Sequence, residues 1–222
     1  KGQGELRPPC AALDARGRSG LTLGSTAPSL VFPGGKRFFL VLGPSGVGKT
    51  TLVRCLRARL PWLYHPVSYT TRPPRAGEME GEDYHFVQVD EFLRLRESGK
   101  LLEWDRPHGT HYYGIPADPV LTRLRCGEAI IREVAVHGLE QIVAGPAAPY
   151  VHSVFLLPGS MAELAERLER RGDPTAGERL ARAEQEVALA SRCDTVLRVR
   201  EGDPEGACAA LEELIRHHTH PD

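Results

Sequence analysis

The octet Gly43-Pro44-Ser45-Gly46-Val47-Gly48-Lys49-Thr50 completes the pattern G-x-x-x-x-G-K-[ST], and no other feature constrains this chain as strongly. Such a loop needs a strand before it and a helix after it. Phe38-Phe39-Leu40-Val41-Leu42 is a short apolar run suited to a buried parallel strand. Leu52, Val53 and Leu56 then fall on one helical face, and Pro61 ends the segment. Strand, glycine loop and helix N-terminus form a nest of backbone N–H groups at the positive end of a helix dipole, which is a seat for polyphosphate. We therefore expect Gly43, Ser45, Gly46, Val47, Gly48, Lys49, Thr50 and Thr51 to hold a nucleotide triphosphate. Lys49 meets the β- and γ-phosphates, and the Thr50 hydroxyl is placed for Mg2+.

A chain of 222 residues, 41% of them apolar, can build one α/β domain with inserted lobes. Its 28 basic and 29 acidic residues leave a net charge of −1, which argues against broad adhesion to nucleic acid or anionic membrane. Neither is expected as a partner. No apolar run approaches the roughly 18 residues of a membrane span. The five cysteines, at 10, 55, 126, 193 and 208, show no C-x-x-C or metal-ligand spacing, so reduced thiols in a cytoplasmic protein are expected. Residues 1–35, rich in Gly, Ser and Pro, read as a flexible tail ahead of a domain spanning 36–222.

Beyond the first helix, residues 68–89 are polar and turn-rich with a few β-formers, as in an inserted lobe of short strands. Asp90 to Ser98 suggests a helix closed by Gly99, and Asp118-Pro119 an N-cap and first turn for a helix reaching about Arg125. Ala129 to Ile131 and Val151 to Leu157 read as core strands with a helix from about Gly138 to Val143 between them. Ser160-Met161-Ala162-Glu163 is a capping box for a helix with Ala165 and Leu168 on its apolar side. A second charged helix, about Gly177 to Ser191, completes a hairpin with it. A short strand at about Asp194 to Leu197 and a last helix after Asp203-Pro204 close the chain. Alternating strands and helices imply a parallel sheet covered on both faces.

Ser68-Tyr69-Thr70-Thr71-Arg72-Pro73-Pro74-Arg75-Ala76-Gly77-Glu78 and Gly81-Glu82-Asp83-Tyr84-His85-Phe86 carry the second signal. Arg72 and Arg75 stand three apart around prolines that stiffen the loop, presenting two guanidinium forks to one phosphate, and Tyr84 adds a donor. Here the chain resembles the guanylate kinase family, and the resemblance continues through Phe92, Leu102-Glu103-Trp104 and Tyr112-Tyr113-Gly114, over roughly residues 37 to 216. It implies a P-loop NTPase fold of three α/β/α layers on a parallel sheet. An NMP-binding lobe would cover about 68–116 and a helical LID about 166–184. It implies the reaction ATP + GMP → ADP + GDP with Mg2+, in a monomer or small homo-oligomer. Arg72, Arg75, Tyr84 and Tyr113 would hold the phosphate of GMP, and Ser68 and Glu103 its guanine. A carboxylate suits guanine because N1–H and the 2-amino group are adjacent donors. Glu133 would reach Mg2+ through water, and Arg171 and Arg179 would close on the phosphates of ATP with Lys49.

The chain departs from the family's pattern in four places. Ala135 stands where the family uses a second acidic residue for guanine, and Ile115 where a Ser or Thr, another guanine contact, usually follows Tyr-Gly. Between Arg171 and Arg179 the LID is shorter, and Arg200 or Glu201 replaces an Asn that contacts adenine. These changes leave two rivals: a kinase of the same type acting on dGMP or another phosphorylated acceptor, and a non-catalytic guanylate-kinase-like module that binds protein ligands. Decay of the P-loop marks such modules, and here Gly43, Gly48, Lys49 and Thr50 all stand.

Overall fold

The computed structural model describes residues 35–170, 176–200 and 202–219. Strand β1 (Phe38–Leu42) lies between β6 (Ile130–Glu133) and β7 (Val151–Pro158), and β8 (Thr195–Val199) flanks β7. All pairings in this four-stranded sheet are parallel. The expected parallel core is therefore present, in the order β6-β1-β7-β8. Alternation along β1 feeds two cores. Phe39 and Val41 pack with Leu52, Val53 and Leu56 of α1 (Lys49–Arg59) and with Leu211 and Ile215 of α7 (Pro204–Thr219). Phe38, Leu40 and Leu42 pack on the opposite face with Val120 and Leu124 of α3 (Ala117–Arg125) and Ile142 of α4 (Val136–Val143). Burial of such side chains on both faces, at about 1.5–3 kcal/mol each, makes β1 the axis of the domain.

A second four-stranded sheet, ordered β3-β2-β5-β4, stands apart from the first. It joins β2 (Ser68–Thr70), β3 (Tyr84–Phe86), β4 (Leu101–Asp105) and β5 (Tyr113–Pro116), with α2 (Val89–Glu97) between β3 and β4. Only its β2–β3 pair is parallel; the other pairings are antiparallel. Helix α5 (Met161–Arg170) and helix α6 (Ala176–Val187) share a small core of Leu164, Leu168 and Ala183.

Several local expectations are corrected. Helix α3 begins at Ala117, so Asp118 lies inside its first turn and makes no cap hydrogen bond. The capping box at α5 is half formed: Glu163 N–H donates to Ser160 Oγ at 3.1 Å, but Glu163 Oε2 is buried without a partner. The buried stripe of α5 is Leu164 and Leu168, one turn apart, and Ala165 is only partly covered. Not all thiols are reduced: Cys55 of α1 and Cys208 of α7 form a disulfide with Cα atoms 6.5 Å apart. Spacing gave no hint of it because the two residues lie 153 positions apart. Among the described residues Cys193 carries a free thiol, and no helix is long and apolar enough to cross a membrane. The tail expected over residues 1–35 falls, but for its last residue, outside the described residues.

Candidate active site

The glycine loop joins β1 to α1 as expected. Gly43 has φ 139°, and a Cβ there would stand 2.6 Å from the Leu156 carbonyl oxygen of β7, so only glycine fits this close approach. Gly48, at φ 112°, is the N-cap of α1 and lets Lys49 and Thr50 open the helix. Lys49 Nζ turns back on the loop, donating to the carbonyls of Gly43 at 2.5 Å and Pro44 at 3.1 Å. Burial lowers the ammonium's pKa, opposed by Glu186 of α6 and Glu133 of β6.

Those charges meet in a cavity of about 350 Å3 lined by Gly43, Ser45, Lys49, Glu133, Ala135, Arg179, Arg182 and Glu186. Arg179, Arg182 and Glu186 are spaced three and four apart, so one face of α6 looks into the cavity. Arg179 Nη1 donates to Ser45 Oγ at 2.9 Å. Arg167 of α5 donates to the carbonyls of Gly46 at 3.4 Å and Val47 at 3.1 Å. Arg182, Glu186 and the loop contacts of Arg167 were not singled out from the sequence, although the helical spacing on α6 was there to be read. Arg171 lies outside the described residues.

Glu133 ends β6 with its carboxylate between His65 and Arg132. Burial pushes its pKa up, but the His65 hydrogen bond and the Arg132 charge outweigh that and hold it at about 2. His65 Nε2 lies 3.1 Å from Glu133 Oε2 and 2.8 Å from Arg132 Nη1. Arginine only donates, so His65 Nε2 either accepts from Arg132 or donates to Glu133. Glu133 stays ionised under either arrangement beside the Arg132 charge. An ionised Glu133 in the Lys49 cavity and the exposed Thr50 hydroxyl are hard oxygen donors, the chemistry Mg2+ asks for. Among the described residues no group of three or more His, Cys, Asp or Glu is arranged to hold a metal by itself.

On the second sheet, the hydroxyl of Thr70 donates to the Tyr112 carbonyl at 3.0 Å and that of Thr71 accepts the Tyr112 N–H at 2.9 Å. This clasp brings Tyr113 of β5 to Tyr84 of β3, with ring centroids 5.9 Å apart, and Arg72 lies 5.5 Å from the Tyr84 ring. The Arg72 side chain is 10% exposed and bonded to Glu78, whereas Arg75 is exposed. Arg72, Tyr84 and Tyr113 are thus brought together as expected, with Arg75 at the rim.

Glu103 sits in β4, whose neighbour Trp104 exchanges two hydrogen bonds with the Gln141 amide of α4, at 3.1 and 2.8 Å. Its carboxylate reaches α4 so closely that a Cβ on Gly138 would stand 3.0 Å from Oε2. Burial raises its pKa to about 7, with Arg132 opposing and the Ile115 backbone N–H donating to it. Ser68 is also buried, at 2% exposure. Ile115 differs from expectation: its side chain is packed in the core, and only its backbone serves Glu103. Ala135 is exposed in the Lys49 cavity.

A larger cavity of about 640 Å3 opens on the other side of the loop, lined by Val47, Thr51, Cys55, Val199, Pro204 and Ala207 with Arg167, Arg170 and Arg200. The sequence model of the family described as guanylate kinase matches residues 35–218. The chain belongs to the guanylate kinase family. It is 42% identical to a guanylate kinase of Thermosynechococcus vestitus over 182 residues, 81% of this chain and 93% of that protein. It is 49% identical to one of Gloeobacter violaceus over 162 residues, 71% of this chain and 77% of the relative. The crystal structure of guanylate kinase from Anaplasma phagocytophilum superposes with a TM-score of 0.64 at 26% identity, over 85% of this chain and 89% of that one. The family's P-loop NTPase fold accounts for a phosphate loop set at the end of the central strand.

Proposed function

We propose that this protein is an ATP:GMP phosphotransferase, a guanylate kinase. Glu103 carries the choice of acceptor. A phosphate loop alone serves many reactions, but the partly buried Glu103 carboxylate beside Gly138 of α4 is an acceptor for two adjacent donors, which guanine presents and adenine does not. In this reading the second sheet, within about 68–116, is the NMP-binding lobe. Ser68 and Glu103 read the base, and Arg72, Arg75, Tyr84 and Tyr113 hold the phosphate. The LID, about 166–184, takes in the end of α5 and most of α6.

Phosphoryl transfer needs little covalent help, because its charge spreads over equatorial oxygens that positioned cations stabilise. Lys49 supplies such a cation from the loop, and Arg179 and Arg171 supply others from the LID. Before the reaction Lys49 is held by the Gly43 and Pro44 carbonyls, and a β/γ-phosphate offers it better acceptors. Bound Mg2+ would neutralise charge on the transferring phosphates, with Thr50 as a ligand and Glu133 reaching it through water. No side chain is needed as a general base.

The same substrates place the reaction in purine nucleotide metabolism, and we propose a cytoplasmic monomer or small homo-oligomer. The Cys55–Cys208 disulfide is uncommon in a reducing compartment. The test of function is ADP formation from ATP and Mg2+ across a panel of nucleoside monophosphates. GMP as the leading acceptor is expected. Turnover led by another monophosphate, or none with any, overturns the assignment.

A further inference from the structure

Arg72 is committed on one of its edges. Its Nη1 donates to the Pro73 carbonyl at 2.8 Å and to Glu78 Oε2 at 2.9 Å, and Nη2 donates to Glu78 Oε1 at 2.8 Å. An arginine has five N–H bonds in one plane. The end-on fork of Nη1 and Nη2 is therefore closed by a carboxylate, which leaves Nε–H and the second Nη2 hydrogen as the remaining donors of a guanidinium that is also hydrogen-bonded to Tyr113. The same Glu78 carboxylate also accepts the Arg75 backbone N–H at 2.7 Å, and Glu78 N–H donates back to the Arg75 carbonyl at 3.1 Å. Gly77, at φ 88°, supplies the left-handed step that lets the loop turn back this way. One carboxylate thus fixes both the plane of Arg72 and the turn that carries Arg75.

We infer that Glu78 is a positioning residue of the acceptor-phosphate site, holding Arg72 end-on so that its Nε–Nη2 edge receives a phosphate monoester beside Tyr84 and Tyr113. The inference rests on the proposed function. A different role for the same contact would make Glu78 a stand-in for the phosphate, displaced when the acceptor binds. The Arg75 contacts of Glu78 decide against it, because the same residue closes the turn that carries Arg75. Displacement would also leave the Arg75 N–H without its acceptor. The cost is charge. Glu78 cancels part of the field of Arg72, so the device gains alignment and gives up attraction. Its carboxyl is held below the usual range by the Arg72 hydrogen bonds and then by the Arg75 N–H, and it remains an acceptor throughout the working pH range.

The test is calorimetric binding of GMP and of guanosine to wild type, Glu78→Ala and Glu78→Gln, alongside steady-state KM for GMP and for ATP. Wild-type binding and turnover of GMP belong to the proposed function and are judged first. Given them, Glu78→Ala should weaken GMP by about 10- to 100-fold, the scale of misplacing a clamp by around an ångström. Guanosine affinity and the ATP KM should stay at wild-type values. Glu78→Gln, which keeps the shape and one acceptor, should lose less in the same direction. A GMP-to-guanosine affinity ratio unchanged in both variants overturns the inference. Tighter GMP binding in either variant also overturns it and makes Glu78 the displaced stand-in.

Discussion

Arg179 of α6 donates to the Ser45 hydroxyl of the phosphate loop at 2.9 Å, across 134 residues of sequence. With Arg167 of α5 reaching the Gly46 and Val47 carbonyls, both helices of the hairpin are fastened to the loop that would hold ATP. A fork already touching the loop needs little reorganisation to stabilise a transferring phosphoryl group. Arg179→Ala should therefore lower kcat by about 10²- to 10³-fold with little change in the KM for GMP. Arg179→Lys should recover only part, since an ammonium lacks the planar fork. Equal loss in both KM values with kcat preserved would return Arg179 to a purely structural role.

Lys49→Met should cripple turnover without unfolding the protein. The ammonium is largely shielded and its hydrogen bonds go to loop carbonyls, so a methionine of similar length fills the space. Loss of a single preorganised cation corresponds to about 10²- to 10³-fold in rate. Thermal melting and ADP formation on the same preparation check both halves, and a folded variant with wild-type turnover would eliminate the kinase reading.

Glu103 predicts two pH dependences. Guanine needs the ionised carboxylate, so kcat/KM for GMP should fall as pH drops from 8 to 6, through the group's raised pKa of about 7. Stability runs the other way. The folded state binds an extra proton between the ordinary 4.5 and about 7, so stability is present below that window and declines as pH rises through it, by on the order of 3 kcal/mol. Glu103→Gln should remove the decline, melting higher than wild type at pH 8 and equally at pH 4, while losing preference for GMP. Parallel melting profiles of the two proteins would show that Glu103 is not a strained acid.

Ala135→Asp should widen the GMP/AMP ratio in kcat/KM. Ala135 is exposed in the cavity of Lys49 and Glu133, and a carboxylate there adds a second acceptor for guanine's donors. Unpaired polar groups reject the wrong base at about 1–3 kcal/mol each. Wild type should thus prefer GMP through Glu103 by a reduced margin. Complete rejection of AMP by wild type, with no widening in the variant, would remove position 135 from the base site.

Reduction of Cys55–Cys208 should lower the melting temperature, because the bond closes a loop of 153 residues between α1 and α7. Cross-links of this kind are worth about 2–5 kcal/mol. Thiol titration of the unfolded chain, before and after a dithiol reductant, counts the bond directly. Full titration without reductant would show that the cysteines are unpaired in solution and would favour the cytoplasm.

The phosphate loop, the Arg72–Tyr84 signature and the elements of the central sheet were legible in the sequence because each is written in contiguous spacing. A glycine pattern, a run of apolar residues and a proline-stiffened pair of arginines act over a few residues, where backbone geometry alone relates one side chain to the next. Ile115 marks the edge of that legibility. Its place in the chain suggested a base contact, yet the pleat of β5 turns its side chain to the core and only its N–H reaches Glu103.

Tertiary structure decided whatever depended on which elements meet. Glu103 by itself reads in sequence as an ordinary surface acid at a helix end; in the fold it lies inside β4, whose Trp104 is held by Gln141 of α4, and its carboxylate packs against Gly138. Arg167 and Arg179 become loop contacts only because the hairpin packs against the glycine loop, with Leu164 and Leu168 beside Gly46, and Cys55 meets Cys208 only because α1 and α7 share one face of the sheet. Local periodicity specifies which face a residue is on. The partner on that face is set by strand order and helix packing over more than a hundred residues, and no short-range pattern encodes that choice.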